Sequence, residues 1–238
     1  IEMLYESKSG HPGGSLSCAD ILTYLYYETM NVDVNNSKDE NRDRFVLSKG
    51  HAAPALYSVL AEKGFFSKEE FKSLRKLGAM LQGHPDVKKV PGVDVSTGSL
   101  GQGISNAVGI AVGLKYKNNS AKVYTILGDG ELQEGLVWEA SMAAAHYKLD
   151  NLVVIIDNNG LQIDGNNEDV MGINPLDEKF KSFGFNVVTC NGHDFDEIHE
   201  AMNNADNTKG KPTVIIAKTV KGKGVSFMEN EAGWHGTA

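Results

Sequence analysis

The stretch from Lys122 to Gly165, KVYTILGDGELQEGLVWEASMAAAHYKLDNLVVIIDNNGLQIDG, decides the fold. Two apolar runs typical of buried strands, Val123–Leu127 and Leu152–Ile156, flank a segment of helical composition and length, Leu136–Leu149. Parallel neighbours need a long connection, usually a helix, so two buried strands joined by a helix are most economically parallel. The stretch therefore predicts a strand–helix–strand unit of a parallel sheet.

Each of these strands ends in a polar turn, at Gly128–Gly130 (GDG) and at Asp157–Gly160 (DNNG). Ligands of such sheets bind outside the carboxyl ends of the strands, so Asp129 and Asn159 are expected in the same crevice. Their carboxylate and amide oxygens suit Mg²⁺ or Ca²⁺, completed by phosphate oxygens and water. Each turn alone is common in proteins. The pair at this spacing predicts a cation and phosphate site.

Strands and helices alternate along the rest of the chain. A capping-box pattern at Ser17–Asp20 precedes the first predicted helix, and Ser67 caps a short helix reaching about Leu77. The other predicted elements are helices at Ala19–Met30, Pro54–Lys63, Ile104–Tyr116, Pro175–Phe183 and from Asp194 to about Ala205, and strands at Phe45–Ser48, Asn186–Cys190 and Val214–Ala217. No long linker or repeat interrupts them. We therefore expect residues 1–238 to form a single α/β domain, a doubly wound parallel sheet with helices on both faces.

Composition excludes several classes of protein. With 238 residues, of which 41% are hydrophobic, the chain can bury a sizeable core. The net charge of -8 argues against nucleic acid or an anionic membrane as the main partner. No leader-like segment or apolar run of about 20 residues is present, so a cytoplasmic location is expected. Cys18 and Cys190 lie far apart in apolar surroundings, which predicts two reduced core thiols, no disulfide and no zinc.

Histidines are concentrated in irregular segments. Such histidines suit recognition of a polyhydroxylated substrate, and their ordinary pKa near neutrality suits proton transfer. Five of the seven histidines belong to this group: His11, His51, His84, His193 and His235. We interpret His193 as structural, and His146 and His199 as surface or packing residues.

Seven ordered stretches resemble transketolase, beginning with the thiamine diphosphate motif formed by the two central turns. The resemblance covers almost the whole chain. The stretches are SGHPGG at 9–14, LSKGHA at 47–52, GHPD at 83–86, TGSLGQG at 97–103, GDGELQEG at 128–135, DNNGLQIDG at 157–165 and KGKG at 221–224.

The resemblance implies thiamine diphosphate and Mg²⁺ as cofactors, with Ca²⁺ as a substitute for Mg²⁺. It implies metal ligands at Asp129, the Asn159 side chain and the Leu161 carbonyl. The implied cofactor contacts are His51, Gly98, Leu100, Gly128, Asp129, Gly130 and Asn159. The KGKG stretch is interpreted as a basic loop that closes over the anionic end of the cofactor, since it lacks a P-loop pattern. TGSLGQG likewise lacks the third glycine of a dinucleotide loop.

The resemblance also implies catalytic residues. His11, His84 and His235 match positions that line the substrate channel and contact sugar hydroxyls or the reacting carbonyl. Glu134 matches a glutamate at the interface between active sites, where it pairs with an acid on the facing domain. The implied reaction is ketol transfer from a ketose phosphate to an aldose phosphate, in the pentose phosphate pathway.

Transketolases carry the glutamate that activates the cofactor, and the arginines that hold the sugar phosphate, on a second, pyrimidine-binding domain. We therefore expect this chain to be either a fragment or the N-terminal subunit of a split transketolase. The tail Met228–Gly236 resembles the split type and favours the second interpretation. The expected partner is a C-terminal subunit with the pyrimidine-binding domain, in a heterotetramer with two copies of each chain.

Two alternatives stay open from the sequence. One is another thiamine diphosphate enzyme, such as deoxyxylulose phosphate synthase or dihydroxyacetone synthase, although HPGG at 11–14 and GHPD at 83–86 favour transketolase over the former. The other is a non-catalytic subunit that only binds the cofactor. The histidines and acidic residues of the transketolase motifs are retained, which argues against a subunit that has lost catalysis.

Overall fold

The computed structural model describes all 238 residues, and its centre is a parallel sheet of five strands. The strands of the chain are Arg44–Leu47 (β1), Val123–Gly128 (β2), Leu152–Asn158 (β3), Leu161–Gln162 (β4), Gly165–Asn166 (β5), Asn186–Asn191 (β6) and Thr213–Lys218 (β7). The sheet has the order β1-β2-β3-β7-β6, with every neighbouring pair parallel. Strands β4 and β5 form a separate antiparallel hairpin after the DNNG turn. The predicted parallel α/β architecture is confirmed.

Nine α-helices surround the sheet. They are Glu2–Ser7 (α1), Pro12–Ser17 (α2), Ala19–Tyr24 (α3), Ala53–Lys63 (α4), Gln102–Tyr116 (α5), Gly135–His146 (α6), Asn167–Met171 (α7), Leu176–Phe183 (α8) and Phe195–Asn207 (α9). Helix α3 widens into a π-turn at Leu25–Thr29, and short 3₁₀ turns occupy Val34–Asn36, Gly50–Ala52, Lys68–Ser73, Gly130–Gln133 and Ala232–Trp234. None of the helices is both long and apolar enough to cross a bilayer.

The sheet is buried on both faces, as the continuous apolar runs of its strands predict. In β2, Tyr124 and Ile126 belong to a core shared with α3, α4 and α9. Val123 and Leu127 point the other way, into a core shared with α5, α6 and α8. This alternation follows from the two-residue period of a strand. Helices therefore cover both faces, and the doubly wound arrangement is confirmed.

Local predictions near the N-terminus need three corrections. The sequence places His11 in an irregular segment, but the stretch from Ser9 to Gly14 is not all loop, because Pro12 starts α2 from the first helical position, which proline favours. Ser17 does not cap α3 but donates its hydroxyl hydrogen bond to Asp157. The helix expected to reach Leu77 is a 3₁₀ turn that ends at Ser73, although Ser67 caps it as predicted.

Two close backbone approaches bring separate loops together beside the sheet edge. A Cβ atom on Gly103, in the first turn of α5, would lie 2.5 Å from the Ser48 Cα atom. A Cβ atom on Gly50 would lie 2.8 Å from the Gly98 nitrogen. Only glycine permits such contacts. The loop before α5 is thereby held against the carboxyl end of β1, where the candidate site begins.

Candidate functional site

A cavity of about 330 Å³ lies at the carboxyl ends of β1, β2 and β3. All but one of the predicted site residues line it. They are His11, His51, Gly98, Leu100, Gly128, Asp129, Gly130, Glu134, Asn159, Leu161 and His235. The exception is His84, whose ring lies behind Gly98, 3.1 Å from the place of a Cβ atom there. The fold thus brings residues from six sequence stretches to one crevice.

Asp129 is one of two buried acidic groups that line this cavity, with 1% of its surface exposed. Its two carboxylate oxygens accept hydrogen bonds from the Gly130 N–H at 2.8 Å and the Gly160 N–H at 2.6 Å. The second bond joins the GDG turn to the DNNG turn. Burial and, secondarily, the charge of Asp157 raise the pKa of Asp129 to about 6. A cation beside Asp129 would favour its ionised form.

The amide of Asn159 is oriented by its neighbours. Its Nδ2 atom lies 3.4 Å from both the Asp157 carboxylate and the Ser17 hydroxyl, and its Oδ1 atom accepts from the Leu161 N–H at 3.1 Å. The donor side of the amide therefore faces Asp157, and the oxygen faces the other way. Asn159 and Leu161 both line the cavity with Asp129. Together they offer amide, carbonyl and carboxylate oxygens, the ligands that a hard cation prefers.

A buried ion pair lies next to Asn159. Lys49 and Asp157 are 1% and 0% exposed, and the Lys49 ammonium donates to the Asp157 carboxylate and to the Gly14 carbonyl. Ser17 and Thr219 donate further hydrogen bonds to Asp157. Burial alone would raise the pKa of Asp157, but the Lys49 charge and these hydrogen bonds hold it below its usual value. Sequence reasoning missed Lys49, although this lysine belongs to the LSKGHA stretch.

Glu131 is a second residue that sequence reasoning missed. It is 2% exposed, and its carboxylate accepts hydrogen bonds from the Ser48 hydroxyl, the Gly101 N–H at 2.8 Å and the Gly128 N–H at 3.1 Å. One side chain therefore joins the ends of β1 and β2 to the loop before α5. The only sequence signal was an acidic residue directly after GDG, which is indistinguishable from an ordinary turn carboxylate.

Three histidine rings form a cluster that lines the same cavity as Asp129 and Asn159. The centroids of His11, His51 and His235 are 5.1 to 5.6 Å apart. Burial lowers the pKa of His11 to about 4, with the Arg75 charge as the next cause, and lowers that of His235 to about 3, followed by the Lys221 charge. At neutral pH these imidazoles are uncharged, so each offers one donor and one acceptor.

The histidine cluster makes the stability of the chain sensitive to acid. Because the folded state binds protons on His11 and His235 less tightly than the unfolded chain does, stability is fully present above pH 6.5 and falls between about pH 6.5 and about pH 3. We expect the double variant His11→Gln/His235→Gln to lose less stability than the wild type between pH 7 and pH 4.5. Urea unfolding at both pH values measures this. His146→Gln is the exposed control, and equal losses in wild type and double variant would contradict the prediction.

Lys221 closes one side of the cavity. It is 2% exposed, and its ammonium lies 3.4 Å from the Leu161 carbonyl and 3.0 Å from His235 Nδ1. Burial, followed by the Lys49 charge, lowers its pKa to about 8. His193 holds Val220, the residue before Lys221. Its Nε2 atom accepts from the Val220 N–H at 2.9 Å, and its Nδ1 atom bonds Asp20 at 2.7 Å. The structural role predicted for His193 is confirmed.

Comparison with known proteins identifies the family. The family model described as "Transketolase, thiamine diphosphate binding domain" matches residues 1–238. The chain belongs to the transketolase family. It is 46% identical over 235 residues to an apulose-4-phosphate transketolase subunit of Phocaeicola vulgatus, covering 99% of this chain and 83% of the relative. It is 45% identical over 226 residues to the 6-deoxy-6-sulfo-D-fructose transketolase subunit SqwG of a Clostridium species, covering 95% and 82%.

Longer transketolases match over the same residues. Human transketolase is 44% identical over 240 residues, and this chain spans 37% of its length. The solved structure of transketolase from Leishmania mexicana superposes with a TM-score of 0.94 at 34% identity, covering 99% of this chain and 37% of that protein. The predicted resemblance to transketolase and the thiamine diphosphate-binding fold are thus confirmed.

The residues of the cavity fit the cofactor that this family binds. A Cβ atom on Gly130 would lie 3.1 Å from Gln162 Cβ and 3.4 Å from Asn167 Oδ1, so the turn leaves room for a ligand only because it is glycine. The Oδ1 atom of Asn167 is buried without a hydrogen-bond partner. The buried Asp129 carboxylate has no cationic partner among the protein's ion pairs. A metal ion with a diphosphate would satisfy this set of hard oxygens.

Proposed function

We propose that this chain is the diphosphate-binding subunit of a split transketolase. With a second chain it would transfer a two-carbon ketol unit from a ketose to an aldose that each carry a terminal anionic group. The observation that supports this best is that one cavity is lined by Asp129, Asn159 and Leu161 together with three uncharged histidines. Two relatives that are themselves named as transketolase subunits, and of which this chain covers more than four-fifths, support the split arrangement.

In this proposal the floor of the cavity anchors the cofactor. Asp129, Asn159 and the Leu161 carbonyl would hold Mg²⁺, and Gly128 and Gly130 would approach the diphosphate. Lys221 would offset the negative charge of the diphosphate, and His51 would help to hold it. Gly98 and Leu100 would pack near the rings of thiamine diphosphate. When bound, thiamine diphosphate supplies the electron sink that carbon–carbon cleavage next to a carbonyl requires.

The histidines would handle substrate protons. The Lys221 ammonium donates to His235 Nδ1 at 3.0 Å, so the other nitrogen, Nε2, carries the proton and can donate to a substrate oxygen. His11 and His84 would contact the hydroxyls of the sugar from the adjacent loops. Each group that acts as a general acid or base would contribute about 10²-fold or more to the rate. Glu134, exposed on the rim of the cavity, is the proposed contact to the facing active site.

The second chain would supply the pyrimidine-binding domain and its activating glutamate. We propose a heterotetramer with two copies of each chain and, from the two buried free thiols, a cytoplasmic location. The two relatives named as subunits carry apulose 4-phosphate and 6-deoxy-6-sulfo-D-fructose in their names. Those names support a terminally anionic ketose as the donor, while the pentose phosphate pathway stays a prediction.

Co-expression tests the proposal. The chain would be produced alone and together with a chain that bears the pyrimidine-binding half, and ketol transfer would be assayed with thiamine diphosphate and Mg²⁺. We expect transfer by the assembled pair and none by the chain alone. Turnover by the chain alone would contradict the need for a partner. Assembly with Mg²⁺-dependent cofactor binding but no transfer would instead identify a non-catalytic subunit.

A further inference from the structure

Arg75 lies between two of the histidine loops but outside the cavity. Its Nη1 atom donates to the Ser9 hydroxyl at 3.1 Å, two residues before His11. On the other side, a Cβ atom on Gly83 would lie 2.9 Å from the guanidinium carbon, directly before His84. The absence of that Cβ is what allows the guanidinium to lie flat against the GHPD loop. The side chain therefore bridges the SGHPGG and GHPD stretches.

The charge of Arg75 has no partner within the chain. The residue is exposed and takes part in none of the nine ion pairs. Its backbone adopts a left-handed conformation with φ of 63°, which a residue with a long side chain adopts at a cost in free energy. Its N–H donates to the Leu81 carbonyl at 2.8 Å, which holds this conformation. A residue with a strained backbone thus places a guanidinium without an acidic partner against the two histidine loops.

The other cations near the site are already engaged. Lys49 is neutralised by Asp157, and the Lys221 ammonium lies against the Leu161 carbonyl and His235. The Arg75 charge acts on the histidines of both flanking loops. Burial is the largest cause of the lowered pKa of His11 and of His84, and the Arg75 charge is the next. Three donor nitrogens in a fixed plane suit a tetrahedral anion, which arginine binds through two parallel hydrogen bonds.

We propose that Arg75 binds the terminal phosphate or sulfonate of the sugar substrate. It would be a specificity residue contributed by this chain, in addition to the arginines expected on the second chain. The inference rests on the proposed function, because it takes a terminally anionic sugar as the substrate. Recognition at Arg75 is equal in the ground state and the transition state, so it acts on KM and leaves kcat unchanged.

The test compares Arg75→Gln with the wild type in the assembled enzyme. The substrates are a ketose phosphate, the corresponding sulfonate, and the same ketose without its terminal anion. Loss of a charge-assisted hydrogen-bond pair predicts a rise in KM of about 10- to 100-fold for the substrate that uses Arg75, and less than about 2-fold for the neutral ketose. Whether the phosphate or the sulfonate shows the larger rise identifies the anion. Arg75→Lys should restore part of the affinity, since it keeps the charge without the planar fork.

Lys76→Gln is the matched control, because it removes the same charge from the next exposed residue. It should change KM less than about 2-fold for every substrate. Equal effects of Arg75→Gln on charged and neutral ketoses would overturn the proposal, and weaker assembly with the second chain would reassign Arg75 to that interface. A wild-type enzyme without ketol transfer would refute the proposed function instead, so the two failures are distinguishable.

Discussion

Replacing Asp129 with asparagine should lower the affinity for thiamine diphosphate in the presence of Mg²⁺ by about 100-fold or more, because the residue that we propose as a metal ligand loses its charge. The carboxylate now accepts from both the Gly130 and the Gly160 N–H groups. An asparagine oxygen can replace only one of these acceptors, and its NH₂ group would face the other N–H. Both the ligand and the geometry of the turn are therefore affected.

Calorimetric titration of the assembled enzyme with thiamine diphosphate, with and without Mg²⁺, measures this effect. Thermal unfolding gives a second readout, since a ligand at 100 times its Kd stabilises the folded state by about 2.7 kcal/mol. That increment should fall to about 0.4 kcal/mol or less in Asp129→Asn. Asp177→Asn, which changes an exposed carboxylate on α8, should bind like the wild type. Undiminished Mg²⁺-dependent affinity of the Asp129 variant would remove Asp129 from the metal site.

Lys49→Met should destabilise the chain by about 3 to 5 kcal/mol, because it leaves the Asp157 charge buried without its partner. Lys49 and Asp157 are both almost fully inaccessible, so water does not compensate for the loss. The hydrogen bonds from Ser17 and Thr219 remain, but they carry no charge. Denaturant unfolding at pH 7 measures the difference in free energy of unfolding.

Two variants make this prediction specific. The double variant Lys49→Met/Asp157→Leu should recover much of the lost stability, since neither buried charge remains. Lys115→Met breaks an exposed pair with Asp150 and should cost less than about 1 kcal/mol. If Lys49→Met costs no more than Lys115→Met, the ion pair is not a determinant of folding.

The sheet could be predicted because its signal is local. Continuous apolar runs identify β2, β3 and β7, and the polar residues after β2 and β3 locate Asp129 and Asn159 at one edge. The predicted bounds of helices α4, α5, α6 and α8 lie within three residues of those in the structure. Composition alone could not show that α2 begins within the SGHPGG stretch, because proline and glycine also form loops.

Polar pairs between residues far apart in the chain could not be predicted from the sequence. Lys49 and Asp157 are 108 positions apart, and neither residue type reveals in sequence that it is buried. Arg75 was hidden in the same way, since its hydrogen-bond partner Ser9 lies 66 positions away, although Gly83 is near it in sequence. The family motifs located the loops, but the three-dimensional structure was needed to show which side chains meet between them.

The three hydrogen bonds that Glu131 accepts make the candidate site a single cooperative unit. The N–H groups of Gly101 and Gly128 share one buried acceptor with the Ser48 hydroxyl, so opening any of the three segments leaves a carboxylate short of donors in an apolar surrounding. Their amide protons should consequently exchange with solvent through a common opening event. The segment proposed to contact the diphosphate, at Gly128, and the loop proposed to pack near the cofactor rings, before α5, would then unfold together. Without cofactor, neither segment would stay ordered while the other opens.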